Sequence, residues 1–193
     1  MKHGFKAYAK RLALEVRAEF DQDAFGAFDP YELAATYGID VVPVSQLALD
    51  DGARQHLGRA SQKFSGALLR ADRGYQIVEN DLHARTRRRV TVGHEMSHVL
   101  LDHEHPAVVR FDRCSGAGKD QEDEATWLAG ELLVPYEAAL KEAWSGSSDF
   151  RVADRYEVSA AEARFRMDAS GVRKVVARSR AKRARHQGNP ASD

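Results

Sequence analysis

Two histidines four residues apart constrain this chain more than any other feature. They lie in VTVGHEMSHVLLDH, Val90 to His103, as His94-Glu95-Met96-Ser97-His98. On an α-helix, positions four apart stack one turn above the other, so both imidazoles can aim at one point. Glu95 is offset by about 100°, which sets its carboxylate beside that point. This is the place for a base that takes a proton from water. Val92, Met96, Val99 and Leu100 give the same helix an apolar flank. The stretch therefore asks for a helix with one side in a core and the other lining a site. The bland alternative is an amphipathic helix with two exposed histidines.

The pattern around it indicates an α+β fold. Phe5, Tyr8, Leu12 and Val16 form an apolar stripe on a first helix. Asp29-Pro30 opens a second, with Asp29 as cap and Pro30 at the first helical position, and Gly38 ends it. Ile39–Val44, Phe64–Arg70 and Tyr75–Glu79 read as three strands, the last two joined by an Asp72-Arg73-Gly74 turn. Residues 46–62 read as a surface loop. Helices are expected over Thr86–Asp102, Gln121–Val134, Tyr136–Trp144, Asp149–Tyr156 and Ala160–Asp168, the last capped by Ser159. Helices, then strands, then helices argue for α+β rather than a parallel βαβ sheet. The expected organisation is a catalytic domain over 1–145, a helical pair over 146–171 and a basic, flexible tail over 172–193.

Charge excludes little by itself. Lys plus Arg and Asp plus Glu both number 29, and the formal net charge is zero, so no global field favours nucleic acid or membrane. The distribution is uneven, with seven basic residues and no acidic one from Arg173 to Arg185. Cys114 stands alone, so no internal disulfide forms, which fits a reducing compartment. The N-terminal residues have no apolar signal core, and no stretch approaches the ~18 apolar residues of a membrane span. A cytoplasmic location is expected.

A catalytic zinc site needs three protein ligands and an open position. The metzincin pattern would place Gly at 101 and His at 104; the chain has Leu101 and Glu104. His103 and His105 follow closely, but ligands so near along the chain would require the backbone to double back. A glutamate from the later helix, EDEATWLAGELLVP from Glu122 to Pro135, is the better source. Favourable charge at a helix N-terminus also accounts for the acidic run from Asp120 to Glu124.

Three stretches in order, RRRVTVGHEMSHVLLDH, EATWLAGELLVP and VADRYEVSAAEARFRM, resemble the ImmA/IrrE-like metallopeptidases. The resemblance covers Asp29 to Gly171. It implies a zincin-like domain with a small, about three-stranded sheet and a C-terminal helical pair. It implies Zn²⁺ held by His94, His98 and Glu124, with Glu95 as the base and Glu122 as the competing third ligand. Thr126 and Leu128 stand where the family commonly has Asn and Phe. Mn²⁺ or Fe²⁺ would also suit such donors. Tyr136, His103 and His105 are candidates to stabilise the oxyanion. The implied activity is cleavage of a cytoplasmic protein, a helix-turn-helix transcriptional repressor, with derepression of phage, mobile-element or stress genes. The rivals are a metal-binding regulatory or DNA-binding module without proteolysis, and a toxin-like protease with another target. Direct nucleic-acid binding is the less favoured reading. Ala160–Asp168 mixes Arg164 and Arg166 with Glu162 and Asp168, which is not clearly a base-reading helix.

Overall fold

The computed structural model describes residues 1–47, 64–71, 74–103 and 118–187. Most of the expected 46–62 loop, Asp72 and Arg73 of the turn, His105 and Cys114 lie outside them.

Helix α1 is Phe5–Glu19. Its buried line is Phe5, Ala9, Ala13 and Val16, whereas Tyr8 is exposed and Leu12 only partly covered. The expected stripe was thus out of phase. The distance between two helices depends on the side chains between them, and the two alanines let α1 close on the helix it packs against, α4 (Lys119–Leu133). Asp29 caps α2 (Pro30–Thr36), accepting the Tyr31 N–H at 3.0 Å. Gly38 follows with φ 67°, a left-handed conformation that suits glycine.

Three strands form one sheet in the order β1-β3-β2: β1 Asp40–Pro43, β2 Gly66–Ala71 and β3 Gly74–Glu79. β1 runs parallel to β3, and β2 pairs antiparallel with it, Ala71 opposite Gly74. The edge strand β2 lies against α3 (Arg85–Leu100), the helix of the pentad. Gly66 permits that approach. A Cβ there would sit 2.5 Å from Thr91 Cγ2 and 2.9 Å from the Val78 carbonyl oxygen.

The remaining helices are α5 (Tyr136–Ser145), α6 (Asp149–Tyr156), α7 (Ala160–Ala169) and α8 (Val172–Gln187). Ser148 and Ser159 cap α6 and α7, accepting the N–H groups of Arg151 and Glu162. The fold is α+β, as its element order led one to expect.

Two main core clusters lie back to back on α4. The first joins α1, α2 and the sheet through Phe5, Leu33, Ile77, Val92, Met96 and Leu128. The second runs from Leu133 and Val134 through Ala138, Val152, Tyr156 and Met167 to Val172. The expected boundary at 145/146 falls inside this second cluster. The segment expected as a flexible tail is helical from Val172 to Gln187. Its buried Val172 and Val176 face the body, and α8 runs along α5. Arg180 donates to the Trp144 carbonyl at 2.8 Å, and Arg183 lies 5.3 Å from the centre of the Trp144 ring. Val172 and Val176, the Trp144 contacts and Arg173 paired with Asp149 and Asp168 together dock a helix rich in basic residues.

A buried ion pair locks α7 onto α4. The Arg166 guanidinium meets the Glu131 carboxylate with both side chains at most 3% exposed, and Arg166 Nε donates to the Val134 carbonyl at 2.8 Å. Removing one member strands the other charge away from water. Glu131→Ala is expected to destabilise the protein by about 3–5 kcal/mol, read as a lower urea midpoint at unchanged slope. Asp149 makes a second, shallower clasp, accepting from Arg164 and Arg173. Burial acts to raise its pKa, but the hydrogen bonds from the two guanidinium groups outweigh it and hold the carboxyl below its ordinary value. Its stabilisation is therefore present above the unfolded pKa and lost as pH falls through the folded one. Asp149→Asn should cost up to about 1 kcal/mol at pH 7. The gap from wild type should close on acidification below about pH 4, measured by denaturation across that range.

Candidate metal centre

Helix α3 carries the pentad with Met96 and Val92 fully buried on one side. On the other, His94 Nε2 and His98 Nε2 come within 3.2 Å of each other. The third group comes from α4 and is Glu122. Its Oε2 lies 3.3 Å from His94 Nε2 and its Oε1 3.5 Å from His98 Nε2. Metal–ligand bonds of about 2.0–2.1 Å in a tetrahedron set ligand atoms about 3.3–3.4 Å apart. The histidine pair is close to this spacing, each imidazole has one Glu122 oxygen near it, and one atom from each of the three residues lies within 4.8 Å of the others. Glu122 Oε1 is also buried and accepts no hydrogen bond, and a carboxylate oxygen in that state calls for a cation. Among the described residues, His94, His98 and Glu122 are the group with metal-ligand spacing.

Glu124, the expected third ligand, is elsewhere. Two positions along a helix differ by about 200° in azimuth, so α4 can present only one of Glu122 and Glu124 to the histidines. Its docking presents Glu122. Glu124 faces the other way and is buried, with Oε2 3.5 Å from His103 Nε2 and Oε1 accepting the Lys2 N–H at 3.0 Å. The motif had placed the ligand by its position before Ala125, which does not determine azimuth.

Glu95 is 5% exposed, and its Oε2 accepts the Leu68 N–H of β2 at 3.1 Å. Burial pushes its pKa up to about 7, Glu122 adds to the rise, and His94 and the Leu68 N–H oppose it. For His94, burial acts downward, but the neighbouring carboxylates of Glu122, Glu95 and Glu162 outweigh it and raise the value. A cleft of about 270 Å³ opens beside His94 and Glu95, lined by Gly66, Thr91, Thr126, Ala129 and Glu162. Burial raises the pKa of the Glu162 carboxyl there.

Two participants were not foreseen, and a third, the oxyanion candidate His103, takes a different place. Leu68 acts through its backbone, which no side-chain pattern reveals. Glu162 reaches the cleft from α7, so the helical pair forms part of its wall. His103 returns to the site because the chain does double back. Asp102 adopts a left-handed φ of 50°, and the His103 and Asp102 N–H groups bond the carbonyls of His98 and Val99 at 3.1 and 3.0 Å. This double closure is a Schellman turn. It brings His103 Nδ1 to 3.0 Å from His98 Nδ1, away from the two Nε2 atoms. Asp102 and Asp123, the aspartates nearest the ligands in sequence, are both exposed. Tyr136 is absent from the residues lining the cleft; its ring packs against the second core cluster, with the Lys10 ammonium 4.2 Å from its centre.

Residues 34–168 match the family model for the IrrE N-terminal-like domain, peptidase family M78. The chain belongs to this family. The match takes in both helices of the site and the helical pair, and it makes the protein a metallopeptidase of the ImmA/IrrE-like kind. Among curated proteins, none matches the chain significantly.

The two carboxylates separate cleanly by experiment. Glu122→Ala and His98→Ala should each lose stoichiometric metal, measured by mass spectrometry after reconstitution with Zn²⁺. Glu124→Ala should still fill at saturating metal. Loss in Glu124→Ala with retention in Glu122→Ala would return the third ligand to Glu124.

Proposed function

We propose that this metallopeptidase is a zinc-dependent endopeptidase of the cytoplasm that cuts a helix-turn-helix transcriptional repressor. The observation that carries the enzymatic part is the His94–His98–Glu122 cluster with Glu95 beside it at the mouth of a cleft. The repressor as target rests on the family resemblance alone. Among the described residues no helix is long and apolar enough to cross a membrane.

His94, His98 and Glu122 would hold the ion, and the same two imidazoles and carboxylate also suit Mn²⁺ or Fe²⁺. When bound, such an ion polarises the scissile carbonyl and makes the attacking water more acidic. Glu95 is the base. Its carboxylate accepts the proton from water and delivers it to the departing amine. The Leu68 N–H holds one carboxylate oxygen and so fixes the direction of the other. Thr91, Thr126 and Ala129 line the cleft without large side chains, leaving room for a substrate residue beside the reacting bond.

The DNA-binding alternative is weakened by α7. Its Arg166 is buried on Glu131, its Arg164 is engaged by Asp149, and its Glu162 lines the cleft. A base-reading helix needs such side chains free.

The test takes as substrate a purified helix-turn-helix repressor, chosen from any encoded next to this gene, with products identified by mass spectrometry. Glu95→Gln should slow cleavage by about 10²–10⁴-fold while metal content stays at the wild-type level. Cleavage by this variant at the wild-type rate would remove Glu95 from the mechanism. Intact repressor in the presence of metal-loaded wild type would direct the activity to another cytoplasmic protein.

A further inference from the structure

His98 touches the proposed metal position with one ring nitrogen and a second histidine with the other. Its Nδ1 lies 3.0 Å from His103 Nδ1, and the two rings meet edge to face at 68° rather than stacking. His103 Nε2 faces Glu124 Oε2 at 3.5 Å, and Glu124 Oε1 accepts the Lys2 N–H at 3.0 Å. His98, His103 and Glu124 are 1%, 8% and 7% exposed. His98 is closed off from water, whereas His103 and Glu124 also border an open cleft of about 750 Å³ beside Lys2; within it their polar atoms face one another.

We propose that His103 and Glu124 are positioning residues that, with the Lys2 backbone, form a hydrogen-bonded relay fixing the tautomer and ring angle of His98. This rests on the reading of His94, His98 and Glu122 as the metal ligands. The proton positions follow by elimination. A neutral His98 that offers Nε2 to a cation carries its proton on Nδ1. That N–H donates to His103 Nδ1. His103 then carries its own proton on Nε2 and directs it at Glu124, whose second oxygen takes the Lys2 N–H. Every donor meets an acceptor, and each bond points away from the metal. A ligand histidine usually donates directly to a carboxylate or carbonyl. Here the carboxylate acts one imidazole further out and is itself anchored by the N-terminal segment. The Schellman turn at Asp102 makes this possible by folding His103 back over the last turn of α3. The relay also gives Glu124 a role in a motif whose metal ligand is Glu122.

The relay is tested on the full chain by Zn²⁺ affinity from chelator competition, the visible spectrum of the Co²⁺ form, and the melting temperature of the metal-free protein. His103→Leu removes the acceptor and should weaken Zn²⁺ binding by about 10–100-fold. His103→Asn places Oδ1 where Nδ1 stood and should recover most of that loss. Glu124→Gln should weaken binding by about tenfold and leave the cobalt spectrum unchanged in shape and intensity. A purely structural role would instead lower metal-free melting, with equal losses for Leu and Asn. Wild-type affinity in His103→Leu, or an Asn variant as weak as Leu, overturns the relay. So does unchanged affinity in Glu124→Gln, which decides the matter if His103→Leu does not fold. An altered cobalt spectrum in Glu124→Gln would put Glu124 in the coordination shell and overturn the relay while leaving the metallopeptidase reading intact. Absence of metal from the wild type would overturn the ligand assignment itself.

Discussion

The azimuth at which α4 docks on α3 is the constraint on which the rest of this structure depends. Two histidines on one helix define a line. A metal site needs a third point, and that point comes from another helix about 25 residues on. Ala125, Leu128, Ala129 and Leu132 of α4 are buried almost completely. With that side of α4 fixed in the core, Glu122 is left facing the histidines. Helix α1 presses on α4 through its alanines, and Arg17 ties the same helix down by donating to the Leu132 carbonyl at 2.7 Å. Hydrophobic packing thus sets the geometry of a polar site.

The base is positioned from a different direction. Strand β2 supplies the Leu68 N–H, and it reaches α3 only because residue 66 has no side chain. The two sides of the cleft are therefore built independently, one by helix packing and one by a glycine. On one side the Glu95 carboxylate meets a backbone donor, and on the other the Glu122 oxygens stand at ligand spacing from the two histidines. A third wall comes from α7, held by a buried guanidinium–carboxylate pair. Chemistry and scaffold share residues very little. Among the described residues, the core clusters are apolar and hold neither the ligands nor Glu95.

What the sequence disclosed was what local physics decides. The pentad, the Asp29-Pro30 start and the Ser159 cap depend on residues within one turn of each other, and each stands where its pattern placed it. The choice between Glu122 and Glu124 was not legible in the same way. Both are acidic, both belong to the first turns of α4, and only the docking of α4 on its neighbours separates them. The stripe on α1 was misphased because alanine carries little weight in a hydropathy pattern, yet a close helix contact favours it. Helix α8 was hidden by its charge, since Val172, Val176 and Trp144 are too few to make a periodic signal. His103 was set aside only as a ligand; its place beside His98 depends on a left-handed residue other than glycine at Asp102, which sequence reading discounts.

The partnership of α1 with α4 has a temporal side. Arg17 and its acceptor Leu132 are separated by 115 positions. During synthesis the chain emerges N-terminus first, so the apolar line of Phe5, Ala9, Ala13 and Val16 leaves the ribosome long before the surface that covers it exists. Contacts of such sequence separation form late, and they slow folding because a long loop must close first. For much of its synthesis this polypeptide therefore carries the surface of α1 that only α4 completes.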